Sequence, residues 1–202
     1  MLCLFTEKTL LNQYFTKNPI SRLLVSRFIK TIRNIIHNLQ PESLLDCGCG
    51  EGIILHYYSY DLNNTKCYAI DVNPVEVKDA QKNNPHCTVQ LADIQNIPYK
   101  DSTFDLVIAT EVFEHIHNPV NALNEVIRVS KKYVLLSVPR EPIWRILNIC
   151  RFSYIKDFGN TPGHINHWSK SHFIDFVQKN SSVDVIMVKN PLPWTVVCLK
   201  KS

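Results

Sequence analysis

With 202 residues, 45% of them apolar, and a net charge of +4, the chain has the size of one folded domain and the composition of an ordinary globular protein. Its longest apolar runs are of strand length, short of the ~20 residues of a membrane helix, and residues 1–7 have neither the basic lead nor the apolar length of a secretion signal. A cytoplasmic protein is expected, with seven cysteines that suit buried reduced thiols better than a disulfide framework.

Residues 21–39 carry Leu24, Phe28, Ile32, Ile35, Ile36 and Leu39 at helical spacing, with Arg22, Arg27, Lys30 and Arg33 on other faces. This is a helix packed on the rest of the fold. A basic amphipathic helix on a membrane surface or against an anionic substrate is the alternative. Next comes Leu44-Leu45-Asp46-Cys47-Gly48-Cys49-Gly50-Glu51-Gly52, which reads as a buried strand, a tight turn of bare backbone and a helix start. Helix amides left unpaired at such a turn would face a ligand. The glycine spacing is not that of a dinucleotide fingerprint, and Asp46 and Glu51 beside the turn would repel a pyrophosphate. They suit a ligand with cationic groups. Cys47 and Cys49 have no matching pair, so no metal site is expected there.

A second run, Lys66-Cys67-Tyr68-Ala69-Ile70, ends in Asp71, 19 residues after Gly52. An acid near that offset, at the end of the next parallel strand, can accept both hydroxyls of a ribose; the plainer role is a turn or cap before Asn73-Pro74, where Asn73 serves equally. A third strand over 87–92 ends at Asp93, followed by Ile94, an acid and an apolar neighbour suited to an adenine ring. A fourth, Phe104-Asp105-Leu106-Val107-Ile108-Ala109, leads into Thr110-Glu111-Val112-Phe113-Glu114-His115. Helices are expected over 52–60, 74–83, 119–129 and 169–179, and further strands over 133–138, 183–188 and 195–199. Three successive strands thus end in Asp46, Asp71 and Asp93, and ligands of open α/β sheets gather at such ends.

Together with Glu111-Val112-Phe113-Glu114-His115-Ile116 and Asn118-Pro119, these segments resemble the class I S-adenosylmethionine-dependent methyltransferases, in particular the methyltransferase-11 (UbiE-like) group. The resemblance covers residues 40–140 well and the rest loosely. It implies an α/β, Rossmann-like fold with helices on both faces of a seven-stranded, mostly parallel sheet of order 3-2-1-4-5-7-6, strand 7 antiparallel. It implies S-adenosyl-L-methionine as cofactor, with Gly48, Cys49, Gly50 and Gly52 along its methionine part and Asp46 on the ammonium side. Asp71 and Val72 would meet the ribose, Asp93 and Ile94 the adenine, and Thr110 and Glu111 the methionine end. It further implies that residues 1–40 form a helical cap over the substrate pocket, with Tyr14, Phe15 and Asn18-Pro19 as lid candidates. The whole of 1–202 reads as one domain.

Residues 139–168 form a long insertion at the cofactor end of the sheet, where specificity commonly resides. Arg140, Trp144, Arg145 and Arg151 are candidates to clamp an anionic or sugar-bearing substrate, the plainer reading being a core tryptophan among solvated arginines. His115, His164 and His167 are the candidates for proton transfer. His164 and His167 sit three apart, but no acid or thiolate that would complete a metal site is evident near them. The expected activity is methyl transfer to oxygen or nitrogen of a small molecule, glycan or lipid-linked precursor. A non-catalytic cofactor-binding protein of the same fold and a nicotinamide-dependent oxidoreductase are the alternatives. A nucleic-acid partner is disfavoured, since the basic residues make no continuous groove with aromatic platforms. Peripheral membrane contact stays open.

Overall fold

The computed structural model describes residues 18–59, 62, 64–150, 152 and 154–201. Helix α1 (Pro19–Leu39) precedes strand β1 (Ser43–Cys47), and three further helices and three further strands follow. They comprise α2 (Ile53–Ser59), β2 (Lys66–Asp71), α3 (Pro74–Asn83), β3 (Thr88–Leu91), β4 (Phe104–Thr110) and α4 (Pro119–Val129). The chain ends with β5 (Ser130–Pro139), α5 (Ile143–Cys150), α6 (Lys170–Asn180), β6 (Asp184–Lys189) and β7 (Trp194–Lys200). The seven strands form one sheet of order β3-β2-β1-β4-β5-β7-β6. β7 runs antiparallel to both its neighbours, and every other pairing is parallel.

The central strands are apolar along their whole length because both faces are covered. Successive side chains point to opposite faces. Leu44, Leu106 and Leu135 pack with Phe28, Ile32 and Ile36 of α1 and with Leu55 of α2. Leu45, Val107 and Leu136 pack with Leu123 and Val126 of α4 and with Phe173 and Val177 of α6.

Three helices start the same way: Asn18, Asn73 and Asn118 each precede a proline, and each side chain accepts a backbone N–H of the first turn. Asparagine satisfies an orphan amide, and proline at the first helical position gives up a donor the helix does not need. Ser169 caps α6 through the amide of His172, at 3.2 Å.

The structure departs from the sequence reading in three places. β5 starts at Ser130, three residues before the expected strand, because the chain passes from α4 straight into the sheet. Residues 143–150 of the expected insertion are helical. Finally, Cys67 of β2 and Cys87, just before β3, are joined as a disulfide with Cα atoms 4.7 Å apart, where reduced thiols were expected; parallel pairing of β2 with β3 sets the two side by side. Among the described residues Cys47, Cys49, Cys150 and Cys198 are free. Among the described residues no helix is long and apolar enough to cross a membrane.

Gly52 has a structural task. It sits at φ +75° against α3, and a Cβ there would lie 2.9 Å from Ala80 Cα and 2.5 Å from Asn84 Nδ2. Left-handed backbone costs a non-glycine residue about 1–2 kcal/mol, and overpacking costs about 1–3 kcal/mol. Gly52→Ala should therefore lower stability by at least about 2 kcal/mol in urea unfolding. An unchanged midpoint would contradict the close packing of this turn.

Candidate active site

The carboxyl ends of β1, β2, β3 and β4 border a cavity of about 820 Å³, within the usual range for small-ligand sites. Its walls include Asp46, Gly48, Cys49, Gly50, Asp71, Val72, Asp93, Ile94, Thr110 and Glu111. Residues that are scattered over 66 positions of sequence thus meet at one cleft, because parallel strands deliver their ends to the same edge. Gly52 is not part of the wall; it stands behind the turn, where Asn84 Nδ2 donates to its carbonyl at 2.8 Å.

The turn is not the set of free amides that the sequence suggests. Gly48 N and Cys49 N both donate to Ile70 O, at 2.8 and 3.1 Å, and Gly50 N donates to Asp71 Oδ2 at 2.8 Å. What it offers a ligand is bare Cα surface. Gly48, at φ +77°, lies so near Val112 that a Cβ would come within 2.5 Å of a methyl carbon.

The electrostatics of the cleft are one-sided. Asp46, Asp71, Glu76, Asp93 and Glu111 line it, and among the described residues no lysine or arginine does, although the chain as a whole is basic. Asp46 is 2% exposed, and its Oδ1 has no hydrogen-bond partner. Burial pushes its carboxyl up to about 7; repulsion from Asp71 adds to this, while the adjacent Tyr58 hydroxyl opposes it without closing a hydrogen bond of good geometry. A cation beside Asp46 would reverse the shift. Asp71 also accepts the amide of Asn73 at 2.9 Å, so both turn and strand end hold its carboxylate in place. Asp93 is exposed and accepts Gln95 N at 2.8 Å, and Ile94 beside it is buried.

Glu111 is fixed from two strands. Thr110 pairs with Ser137 of β5, and β7 then brings Trp194 opposite Pro139. Ser137 Oγ donates to Glu111 Oε1 at 3.0 Å, and Trp194 Nε1 donates to Oε2 at 2.6 Å. The Glu111 backbone lies at φ +60°, a conformation that costs a non-glycine residue of order 1–3 kcal/mol and gathers at functional sites. Burial raises its carboxyl to about 8, the two donors partly offsetting this.

Trp194 was not foreseen as a site residue, nor were Ser21, Val25 and Phe28 of α1, yet all four line the cavity. The Phe28 and Trp194 rings are 4.6 Å apart, and Trp144 meets Trp194 edge-on at 5.7 Å. Beyond them a second, apolar cleft of about 190 Å³ continues between α1 and α5 and shares Ser21, Val25, Trp144 and Trp194 with the first. Trp144, a substrate-contact candidate in the sequence, thus lines both clefts. Arg140 and Arg145 do not line either cleft; Arg145 instead pairs with Glu141 at 3.5 Å, one helical turn away. Tyr14 and Arg151 lie outside the described residues.

Of the three histidines, His115 lines the cavity. His164 is buried directly behind it, the ring centroids 4.8 Å apart, and burial lowers its pKa to about 4, so the ring is neutral. His167 is exposed and lies outside the cavity wall. The acid missing from the sequence reading is Glu114. It is 1% exposed, neither of its oxygens has a hydrogen-bond partner among the described residues, and burial together with repulsion from Glu111 drives its carboxyl up. Glu114, His115 and His164 bring one potential ligand atom each to within 4.8 Å of one another.

Residues 45–137 match the family model described as a methyltransferase domain. Over 97 residues the chain is 34% identical to the norajmaline N-methyltransferase of Rauvolfia serpentina, which covers 45% of this chain and 33% of that protein. The fold is shared with magnesium protoporphyrin IX methyltransferase of Synechocystis, solved with bound S-adenosylhomocysteine (TM-score 0.70, 15% identity, 95% of this chain and 91% of that one). It is shared equally with the plantazolicin methyltransferase (TM-score 0.70, 18% identity, 91% of each chain). The chain spans a third to less than half of the length of the curated relatives it matches.

Proposed function

Residues 45–137 match a methyltransferase-domain model, and we propose that the chain is a class I methyltransferase that binds S-adenosyl-L-methionine in the large cavity and transfers the methyl group to a small molecule with an apolar body and a nitrogen or oxygen nucleophile. The observation that carries this reading is the acidic lining of the cleft. A sulfonium and an ammonium are attracted there, whereas a pyrophosphate is repelled.

In this reading the methionine part runs over Gly48, Cys49 and Gly50, its ammonium toward Asp46. Asp71 and Val72 meet the ribose, Asp93 and Ile94 the adenine, and Thr110 and Glu111 close the methionine end. Helix α1 and the 139–168 lid enclose the acceptor, whose apolar body lies among Phe28, Trp144 and Trp194; a lipid-linked precursor would use the same apolar cleft. The sulfonium already makes the methyl carbon electrophilic. The protein's part is to align nucleophile, carbon and sulfur, which in favourable cases supplies ~7–11 kcal/mol of the barrier. His115 stands at the mouth, where a proton leaving the acceptor can be taken up.

Calorimetry with S-adenosylmethionine and S-adenosylhomocysteine should give one site per chain. Incubation of a metabolite panel with isotopically labelled cofactor should then label an acceptor of this class. Absence of binding to either nucleoside by the folded chain would end the reading.

A further inference from the structure

The geometry points to a divalent transition-metal site formed by Glu114, His115 and His164, with zinc as the fitting ion and an open coordination position toward the acceptor mouth. Four independent observations converge on it. The three ligand atoms lie within 4.8 Å of one another, and a zinc at about 2.0–2.2 Å from each would draw them in by no more than side-chain adjustment.

Glu114 is buried with both oxygens unpartnered, a costly arrangement for a carboxylate unless a charge or donor comes to it. Glu111, the neighbouring acid, is not available as a ligand in the same way, since Ser137 and Trp194 occupy its oxygens. His115 Nδ1 faces the carbonyl of Gly163 at 2.9 Å. A carbonyl only accepts, so Nδ1 carries the proton and Nε2 keeps its lone pair, the tautomer a metal needs.

Finally, the ligand-bearing segments are fastened to each other as a metal site requires. Ile165 N and Asn166 N donate to Glu114 O at 2.9 and 3.0 Å, and Asn166 Nδ2 donates to Phe113 O and Ile116 O at 3.0 and 2.6 Å. Two imidazoles and one carboxylate with a vacant position is a donor set typical of catalytic rather than structural zinc.

Since His115 also lines the cavity, the vacant position faces the acceptor. Its function there rests on the methyl-transfer reading. With its Nε2 on the metal His115 is no longer free to take the acceptor's proton; an acceptor hydroxyl bound to the ion loses that proton to solvent more readily. The resulting oxygen attacks the methyl carbon, and the carbon–sulfur bond breaks with its electron pair returning to sulfur, leaving S-adenosylhomocysteine.

The test uses the full chain, stripped with chelator and dialysed against micromolar Zn²⁺, with bound metal measured by mass spectrometry and S-adenosylhomocysteine binding by calorimetry. One zinc per chain is expected, with affinity falling at least about 100-fold in Glu114→Gln and in His115→Gln. The first change is isosteric, and the second alters an exposed residue, so both should fold. No retained zinc overturns the proposal, and so does zinc retained equally by both variants, which would put the ion on the free thiols. Nucleoside binding by the stripped chain separates the two readings. A chain that binds nucleoside but takes up no zinc on dialysis sinks the metal site alone, while one that takes up zinc but binds no nucleoside sinks the cofactor reading and keeps the site.

Discussion

Replacing Asp71 with alanine should weaken S-adenosylhomocysteine binding by about 10²–10³-fold in calorimetry. Its carboxylate is held at the end of β2 by the amides of Gly50 and Asn73, at 2.8 and 2.9 Å. An ionised carboxylate offers about four acceptor sites, so two remain for the vicinal hydroxyls of a ribose. Hydrogen bonds to a charged group contribute roughly 1.5–3 kcal/mol each, and a loss of about 3–4 kcal/mol corresponds to the factor given. Asp71→Asn keeps one acceptor and should lose only about tenfold by the same count. The turn also leans on Asp71, so melting of the unliganded variants must accompany the titration: a fold that is intact but binds with unchanged affinity would refute the ribose assignment.

The parts of this molecule that could be read in the sequence are those where one residue type has one reason to be there. Strands covered on both faces appear as unbroken apolar runs, and Leu44-Leu45 or Leu135-Leu136 then divide between the two cores. Their ends appear as acids and glycines because the chain must turn there beside a ligand. The aromatic chamber was not readable. Trp194 opens β7, and only the antiparallel return of that strand along β5 sets it under Glu111, 83 residues away in sequence.

The same holds for Glu114 and for its meeting with His164, a residue singled out in the sequence but without this neighbour. Each looks unremarkable in its own segment, one in a helical turn after β4 and the other in a loop before α6, and nothing local records that Asn166 ties the two together. The Cys67–Cys87 pair is hidden for a related reason. Strand pairing, not spacing, makes them neighbours, and an odd total of cysteines argues against pairing when taken alone. The arginines differ in another way. Arg140 and Arg145 sit in the segment expected to clamp a substrate but do not line either cleft, and Arg145 of α5 pairs with Glu141, just before that helix.

Cofactor affinity should depend on pH in a way that identifies Asp46. Burial holds its carboxyl at about 7 in the free protein, well above the ordinary range. In the unliganded fold the neutral form is therefore favoured. The stability this contributes is fully present at pH below the unfolded value near ~4 and is lost as pH rises through about 7. An ammonium placed beside Asp46 favours the ionised form and returns the pKa toward the ordinary range, so binding releases a proton throughout that window. Affinity for S-adenosylhomocysteine should then rise by up to about tenfold per pH unit and by roughly 50-fold between pH ~5 and ~7. Above pH ~8 it should fall again, as the ligand's own α-amino group loses its charge.

The groups facing Asp46 are Tyr58, Asp71, Cys47 and Cys49. Burial keeps the thiols and the phenol neutral across this range. Glu111, raised to about 8, is a second source of slope. Asp46→Asn distinguishes the two acids: it removes the share of the rise that ends near pH ~7, and any slope that persists up to about 8 belongs to Glu111. A variant that keeps the full wild-type profile would show that the ammonium lies elsewhere in the cleft.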